Sequence, residues 1–209
     1  MLLEERFGGV NERQRQILLE IQRASHKATG ITHEMSELAR LERGETTFDR
    51  RAVDPGRLLE EAIESLPELP DRDVPVTLAN SAPDARITAD AARLKAALAS
   101  VIHGVRRELA NAELLVRVSR RSWNGSSNVW IAVATDDRID ALEANQPGTL
   151  ATYREWNGGT GLALPVARRV ITKHDGWVWS PPSEERQDEE RRRKELVNVS
   201  GAVIALPEA

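Results

Sequence analysis

From Asn11 to about Arg43 the apolar and small residues fall at Ile17, Ile21, Ala24, Ala28, Ile31, Met35 and Leu38, at alternating steps of four and three. That spacing predicts one long helix carrying a heptad seam, a coiled-coil-like face. Asn11 suits the N-cap, with Gln14 completing a capping box, and Gly44 suits the position just past the C-terminus. At 1.5 Å per residue such a helix is about 48 Å long, too long to bury its seam inside its own small domain. The pattern therefore predicts pairing with a second helix, as a homodimer through residues 17–38.

The polarity pattern then changes character. Residues 45–54 are polar and read as a connector, and Pro55 opens an amphipathic helix over 56–66 with Leu58, Leu59, Ile63 and Leu66 inward. Alternation predicts strands at 74–78 and 85–88. The helix from Ala91 to about Leu109 shows an apolar face of Leu94, Leu98, Val101, Ile102 and Val105, with Asp90 or Thr88 as its cap. Two strands, 113–120 and 128–134, flank a hairpin turn at 123–127. Residues 136–156 read as a long irregular loop, the kind usually kept for function. A helix follows Gly161, then strands at 177–179 and 200–206, with a charged stretch, Glu184 to Glu195, predicted to be a short solvated helix between them.

Composition narrows the classes. The chain has 209 residues, 40% hydrophobic and 30% charged, with a formal net charge of −4. This argues against nucleic acid or an anionic membrane as the main partner. Cysteine is absent, which excludes disulfides, thiol catalysis and cysteine metal sites. The four histidines are scattered, and no metal site is expected from their spacing. No apolar run is long enough to span a bilayer and the N-terminus does not read as a signal peptide, so the expected location is the cytoplasm.

The candidate chemistry sits in Gly158-Gly159-Thr160-Gly161-Leu162, a glycine-rich turn feeding a helix whose apolar residues include Leu162, Val166, Val170 and Ile171. Glycine leaves backbone N–H groups open to close approach, and the first N–H groups of a helix lack internal partners, so such a turn can cradle an anion, commonly phosphate. A turn that only redirects the chain fits the same glycines.

Taken together, Leu38-Ala39-Arg40-Leu41-Glu42-Arg43-Gly44, Ala89-Asp90, Arg93-Leu94, the GGTGLAL turn, His174-Asp175-Gly176 and the closing Leu206-Pro207 resemble a sensor histidine kinase over nearly the whole chain. The resemblance implies an α+β protein in two parts. Residues 1–48 would hold the second helix of the dimerisation and phosphotransfer hairpin with a remnant of its bend. Residues 49–209 would form the ATP-binding domain of the Bergerat type, a two-layer α/β sandwich with a mixed sheet and helices on one face.

Carried over residue by residue, the resemblance places Ser100 and Gly104 where that family has two asparagines, one of them a Mg²⁺ ligand. Serine offers one oxygen and glycine none, whereas Mg²⁺ takes several oxygens in octahedral order. The adenine-binding aspartate aligns with Thr135, and Asp136 reaches that position only with a one-residue shift of register. The implied nucleotide-binding set is Gly158, Gly159, Thr160, Gly161, Leu162, Ser100 and Asp136, with ATP and Mg²⁺ as the implied cofactors. His33-Glu34 copies the first two residues of the family's phosphoacceptor motif, with Leu38 where its proline stands, and lies on the second helix, so no catalytic residue is assigned beyond His33 as a candidate. The expected function is a histidine-kinase-like protein of two-component signalling with weak or no kinase activity, acting by dimerisation and docking, with a response regulator or partner kinase as partner. Two readings stay open beside it: an active ATP-binding kinase core whose acceptor histidine lies in another chain, and an ATP-independent phosphotransfer protein using His26 or His33.

Overall fold

A computed structural model describes residues 8–109, 112–123, 125–144, 151–152, 161–180 and 201–209, with only the backbone at Lys27, Ala151 and Thr152. The chain opens with α1 (Glu12–Glu42), whose ends are set locally as its sequence predicts. Asn11 Oδ1 accepts the Gln14 N–H at 2.9 Å and Gln14 Oε1 accepts the Asn11 N–H at 2.9 Å, a complete capping box. Gly44 at φ +70° lets Glu45 N–H reach the Arg40 carbonyl and Gly44 N–H the Leu41 carbonyl, which closes the last turn.

The connector holds a strand that the sequence pattern hides, β1 (Arg51–Val53), paired antiparallel with β3 (Ile87–Ala89). Between them lie α2 (Pro55–Glu64), capped by Asp54 on the Gly56 and Arg57 N–H groups, and β2 (Val76–Asn80). Next come α3 (Ala91–Glu108), capped by Asp90, then β4 (Leu114–Trp123) and β5 (Ser126–Ala134). The chain continues through α4 (Asp136–Ala144), β6 (Ala151–Thr152), α5 (Ala163–Lys173), β7 (Trp177–Ser180) and β8 (Gly201–Pro207).

The main sheet has the order β2-β4-β5-β8-β7-β6, with β2 and β4 parallel and the remaining pairs antiparallel. The sheet is mixed because α3 carries the chain across between β2 and β4, the crossover that parallel neighbours require. Helices α2, α3 and α5 cover one face over the main core, which includes Leu59, Leu94, Leu98, Ile102, Val116, Ile131, Ile171 and Ile204. This is the α+β sandwich implied by the resemblance.

One segment departs from the expectation. Residues 136–144, read as irregular, form α4, and it packs on the opposite face of the sheet, where Ile139 and Leu142 join Trp130, Ala132, Ala134, Val203 and Ala205. Two of the residues that hold it are arginines of β4: Arg117 binds Asp140 and Glu143, and Arg121 donates to the Glu143 carbonyl. The charged stretch 184–195 lies outside the described residues.

Candidate functional site

The C-terminal half of α1 lies against the domain, and its N-terminal half stands free of it. At about 100° per residue, Ile31, Glu34, Leu38 and Leu41 share one stripe, roughly a quarter of a turn from the stripe of Ile17, Ile21, Ala24, Ala28 and Met35. Leu41 is fully buried in the main core, and Ile31 and Leu38 are half-buried. Ile17, Ile21 and Met35 are 48%, 58% and 58% exposed, and Ala24 and Ala28 are exposed too. The predicted seam is therefore split: Ile31 and Leu38 turn toward the domain, and the other five positions keep an open apolar stripe.

Acidic residues of α1 hold it in place. Glu37 pairs with Arg93 of α3 at 2.7 Å, and Glu42 pairs with Arg169 of α5 at 3.1 Å. Glu34 reaches the glycine turn itself, where its Oε2 accepts the Leu162 N–H at 2.9 Å. Leu162 is the N-cap of α5 and has no polar side chain to bond the first-turn N–H groups, so among the described residues this end of the helix, unlike those of α1, α2 and α3, has no side-chain cap from its own N-cap residue. Gly161 adopts φ +69°, and a Cβ there would stand 3.2 Å from Glu34 Oε2. Glycine at this position thus answers both a left-handed backbone and the approach of a carboxylate. Gly158, Gly159 and Thr160 lie outside the described residues.

Beside this contact is a cavity of about 400 Å³ between α1, α3, the start of α5 and the loop after α2. Its polar lining comes from Glu34, Ser100, His103 and Arg107, and its apolar lining from Ile31, Leu66, Pro67, Ala99 and Ala163. A mostly apolar hollow with a few convergent polar groups is the ordinary form of a small-ligand site. Ser100 donates its hydroxyl proton back to the Ala96 carbonyl at 2.9 Å, which directs its remaining lone pairs outward as an acceptor. His103 Nδ1 is buried and has no hydrogen-bond partner among the described residues. Burial, and then the neighbouring charges of Arg107 and Arg106, hold the His103 pKa below its usual value, so the ring is neutral near pH 7.

The structure thus brings Ser100, Gly161 and Leu162 together. It does not bring Asp136 to them: Asp136 is an exposed residue in the first turn of α4, which packs on the far face of the sheet, and it is not among the residues around the cavity. Thr135 is buried, and its carbonyl accepts the Arg138 and Ile139 N–H groups at the head of α4. His33 and His26 are exposed on the outer side of α1. Among the described residues no group of three or more His, Asp or Glu is placed to hold a metal ion. Sequence reasoning missed Glu34 and Arg107 as site residues. Arg107 had a signal, since it lies seven residues after Ser100 on the same helix and so shares its face.

At the other end of α5, His174 is buried and bonded on both ring nitrogens. Its Nδ1 faces the Val170 carbonyl at 2.7 Å and its Nε2 accepts the Asp90 N–H at 3.0 Å, which makes it structural. The Nδ1–H tautomer satisfies both contacts.

No protein-family model matches the chain. It is 28% identical over 166 residues to the sensor-like histidine kinase SenX3 of Mycolicibacterium smegmatis, which covers 76% of this chain and 42% of that protein. The fold matches full-length ShkA, solved in complex with AMPPNP, at a TM-score of 0.64 and 18% identity, over 96% of this chain and 40% of that one. It also matches the histidine kinase AdeS of Acinetobacter baumannii at a TM-score of 0.55 and 13% identity, over all of this chain and 89% of that one. The chain thus spans less than half the length of SenX3 and of ShkA. Among the described residues no helix is long and apolar enough to cross a membrane. By sequence similarity and by fold, the chain is histidine-kinase-like.

Proposed function

We propose that this chain works chiefly by binding: it dimerises through the open stripe of α1 and holds nucleotide phosphate weakly at the start of α5, with little or no transfer to a histidine. The observation that carries this reading is the cavity in which Ser100, Arg107 and the Gly161 turn converge. The donor set suits phosphate oxygens, through the backbone N–H groups of α5 and the Arg107 guanidinium. It suits Mg²⁺ poorly, since Ser100 and Glu34 supply the side-chain oxygens there and a cation usually needs more. When bound, Mg²⁺ would offset the phosphate charge for transfer. His33, the candidate acceptor, stands exposed on a different side of α1 from the one that faces this cavity.

Thermal unfolding of the intact chain with ATP and Mg²⁺ tests the binding. A saturable rise in midpoint is expected at millimolar nucleotide, because ligand held by the folded state stabilises it; no shift would reject the nucleotide site. Incubation with γ-labelled ATP tests the transfer. No label on the chain is expected, and label lost on His33→Gln would establish an active kinase instead.

That active reading has its own support in the AMPPNP complex of ShkA. An acceptor histidine in another chain would then be labelled when this chain, SenX3-like partners and ATP are mixed.

Dimerisation has a separate test. Ile17→Glu with Ile21→Glu should give monomers in sedimentation velocity, because both side chains are exposed on the stripe and neither belongs to the core. An unchanged dimer would place the interface elsewhere. Ile31 is unsuited to this test because it lines the cavity.

A further inference from the structure

We infer that α1 is a built-in competitor for the anion site: the Glu34 carboxylate takes the place of a phosphate oxygen at the start of α5, so docking of α1 and anion binding exclude one another. The inference rests on the proposed phosphate site and concerns its regulation.

Three observations carry it. The anion position is filled by an anion of the chain's own, since Glu34 Oε2 accepts the Leu162 N–H at 2.9 Å across 128 positions of sequence. A helix N-terminus carries partial positive charge and unsatisfied N–H groups, so a carboxylate and a phosphate oxygen seek the same place. Second, Gly161 has φ +69°, and a Cβ on it would lie 3.2 Å from that oxygen, so the Glu34 carboxylate stands directly against the turn, where an incoming anion would have to approach. Third, Ser100, His103 and Arg107 lie around the same cavity beside Glu34, so the groups that would receive a larger anion are present but face a negative charge.

The dock has one fixed end, since Leu41 near the C-terminus of α1 is buried in the main core, and release therefore means a swing of the residues before it. Beyond Glu34 its polar anchors include the Glu37–Arg93 and Glu42–Arg169 pairs, whose side chains are 29–30% and 52% exposed, and such pairs contribute little and weaken with salt. Release of α1 would remove Glu34 from the turn and change the direction of the helix that carries the open dimer stripe. A phosphate-bearing ligand would thus bias the position of α1, and a partner that draws α1 away would raise affinity for that ligand, as linkage requires.

The test uses the intact chain, whose lack of cysteine allows spin labels at Ser25→Cys and Glu60→Cys to report the distance from α1 to α2. ADP with Mg²⁺, and pyrophosphate, are titrated calorimetrically into the parent protein and into Glu34→Ala. The expected result is affinity about tenfold higher in Glu34→Ala, the usual worth of a hydrogen bond to a charged group. Either ligand should also broaden the label distance in the parent protein. Glu37→Gln with Glu42→Gln, which loosens the dock without touching the turn, should raise affinity in the same direction by about twofold.

Equal affinity of parent and Glu34→Ala for ADP, with the label distance unmoved, overturns the competitor and leaves the nucleotide site standing. Pyrophosphate bound more tightly by Glu34→Ala, with ADP bound by neither protein, retains the competitor and rejects the nucleotide. Binding of neither ligand to either protein rejects both.

Discussion

The two ends of α5 each carry a glycine, and the two glycines are required for different reasons. At the C-terminal end Gly176 has an ordinary φ, but a Cβ there would lie 2.7 Å from Leu206 Cδ2 and 2.8 Å from the Ala205 carbonyl oxygen. The left-handed position of that end is taken by Asp175 at φ +59°, which lets Gly176 N–H reach the Ile171 carbonyl and Asp175 N–H the Thr172 carbonyl. At the N-terminal end Gly161 is itself left-handed, and its nearest neighbour is the tip of a flexible side chain, Glu34. The first end is held against a strand backbone inside the core. The second is held by a carboxylate from another element, and this is the end at which a ligand could compete.

The sharpest way to break this contrast is Gly176→Ala. Neither the Ala205 carbonyl on β8 nor the well-packed Leu206 can move freely, so about 3 kcal/mol of destabilisation is expected, at the upper end for overpacking. Urea unfolding would measure it. A loss below about 1 kcal/mol would show that the C-terminal end yields as easily as the other.

His174 locks the same end and ranks next. In His174→Leu the Asp90 N–H loses its acceptor in a partly buried place, which costs about 2 kcal/mol. The pH dependence carries the same sign. Burial, with Arg50 adding to it, holds the His174 pKa below its usual value, against the opposing effects of the Val170 carbonyl, Asp90 and Asp175. Between the folded value and about 6.5 the unfolded chain therefore binds more protons than the folded one. Stability is full above about pH 6.5 and falls as the pH drops through the lowered value. His103, shifted in the same direction, adds to this slope. His174→Leu should flatten the decline between pH 7.5 and 5 without abolishing it; an unchanged slope would mean that His174 does not titrate in that range.

How far each end could be read in advance follows from the range of the forces involved. Local signals were legible: Asn11 with Gln14, Gly44, Asp90 and the apolar faces of α2 and α3 do in the structure what their spacing predicts, because each acts within one turn of chain, whereas on α5 Val170 and Ile171 are buried as expected but Leu164 and Ala167 fill the places expected of Leu162 and Val166. The core stripe of α1 was legible as a stripe but not as two, since a heptad pattern does not say that Ile31 and Leu38 turn to the domain while Met35 does not. Helix α4 was hidden for a similar reason. Its two apolar anchors are few, and the arginines that hold it look like the solvated positions of β4. One signal did exist: Val129–Ala134 is apolar at every residue without alternation, which calls for cover on both faces of β5, and the structure buries all of it. Glu34 gave no signal at all, because its partner is a backbone N–H far along the chain.

The smallest expected effect decides whether the N-terminal end of α5 is as yielding as its neighbours suggest. Gly161→Ala places an L-residue at φ +69°, which costs about 1 kcal/mol from the backbone alone. The new Cβ would also press on Glu34 Oε2 at 3.2 Å, but a rotation of that side chain relieves the contact. The cost should therefore be nearly the same in the parent chain and in Glu34→Ala, and a double-mutant cycle by urea unfolding should give a coupling within about 0.5 kcal/mol. A coupling well above that would mean that Glu34 is fixed against the turn as firmly as Ala205 is against Gly176. The two ends would then be alike in stiffness, and α1 could leave the site only by paying for the whole of that contact.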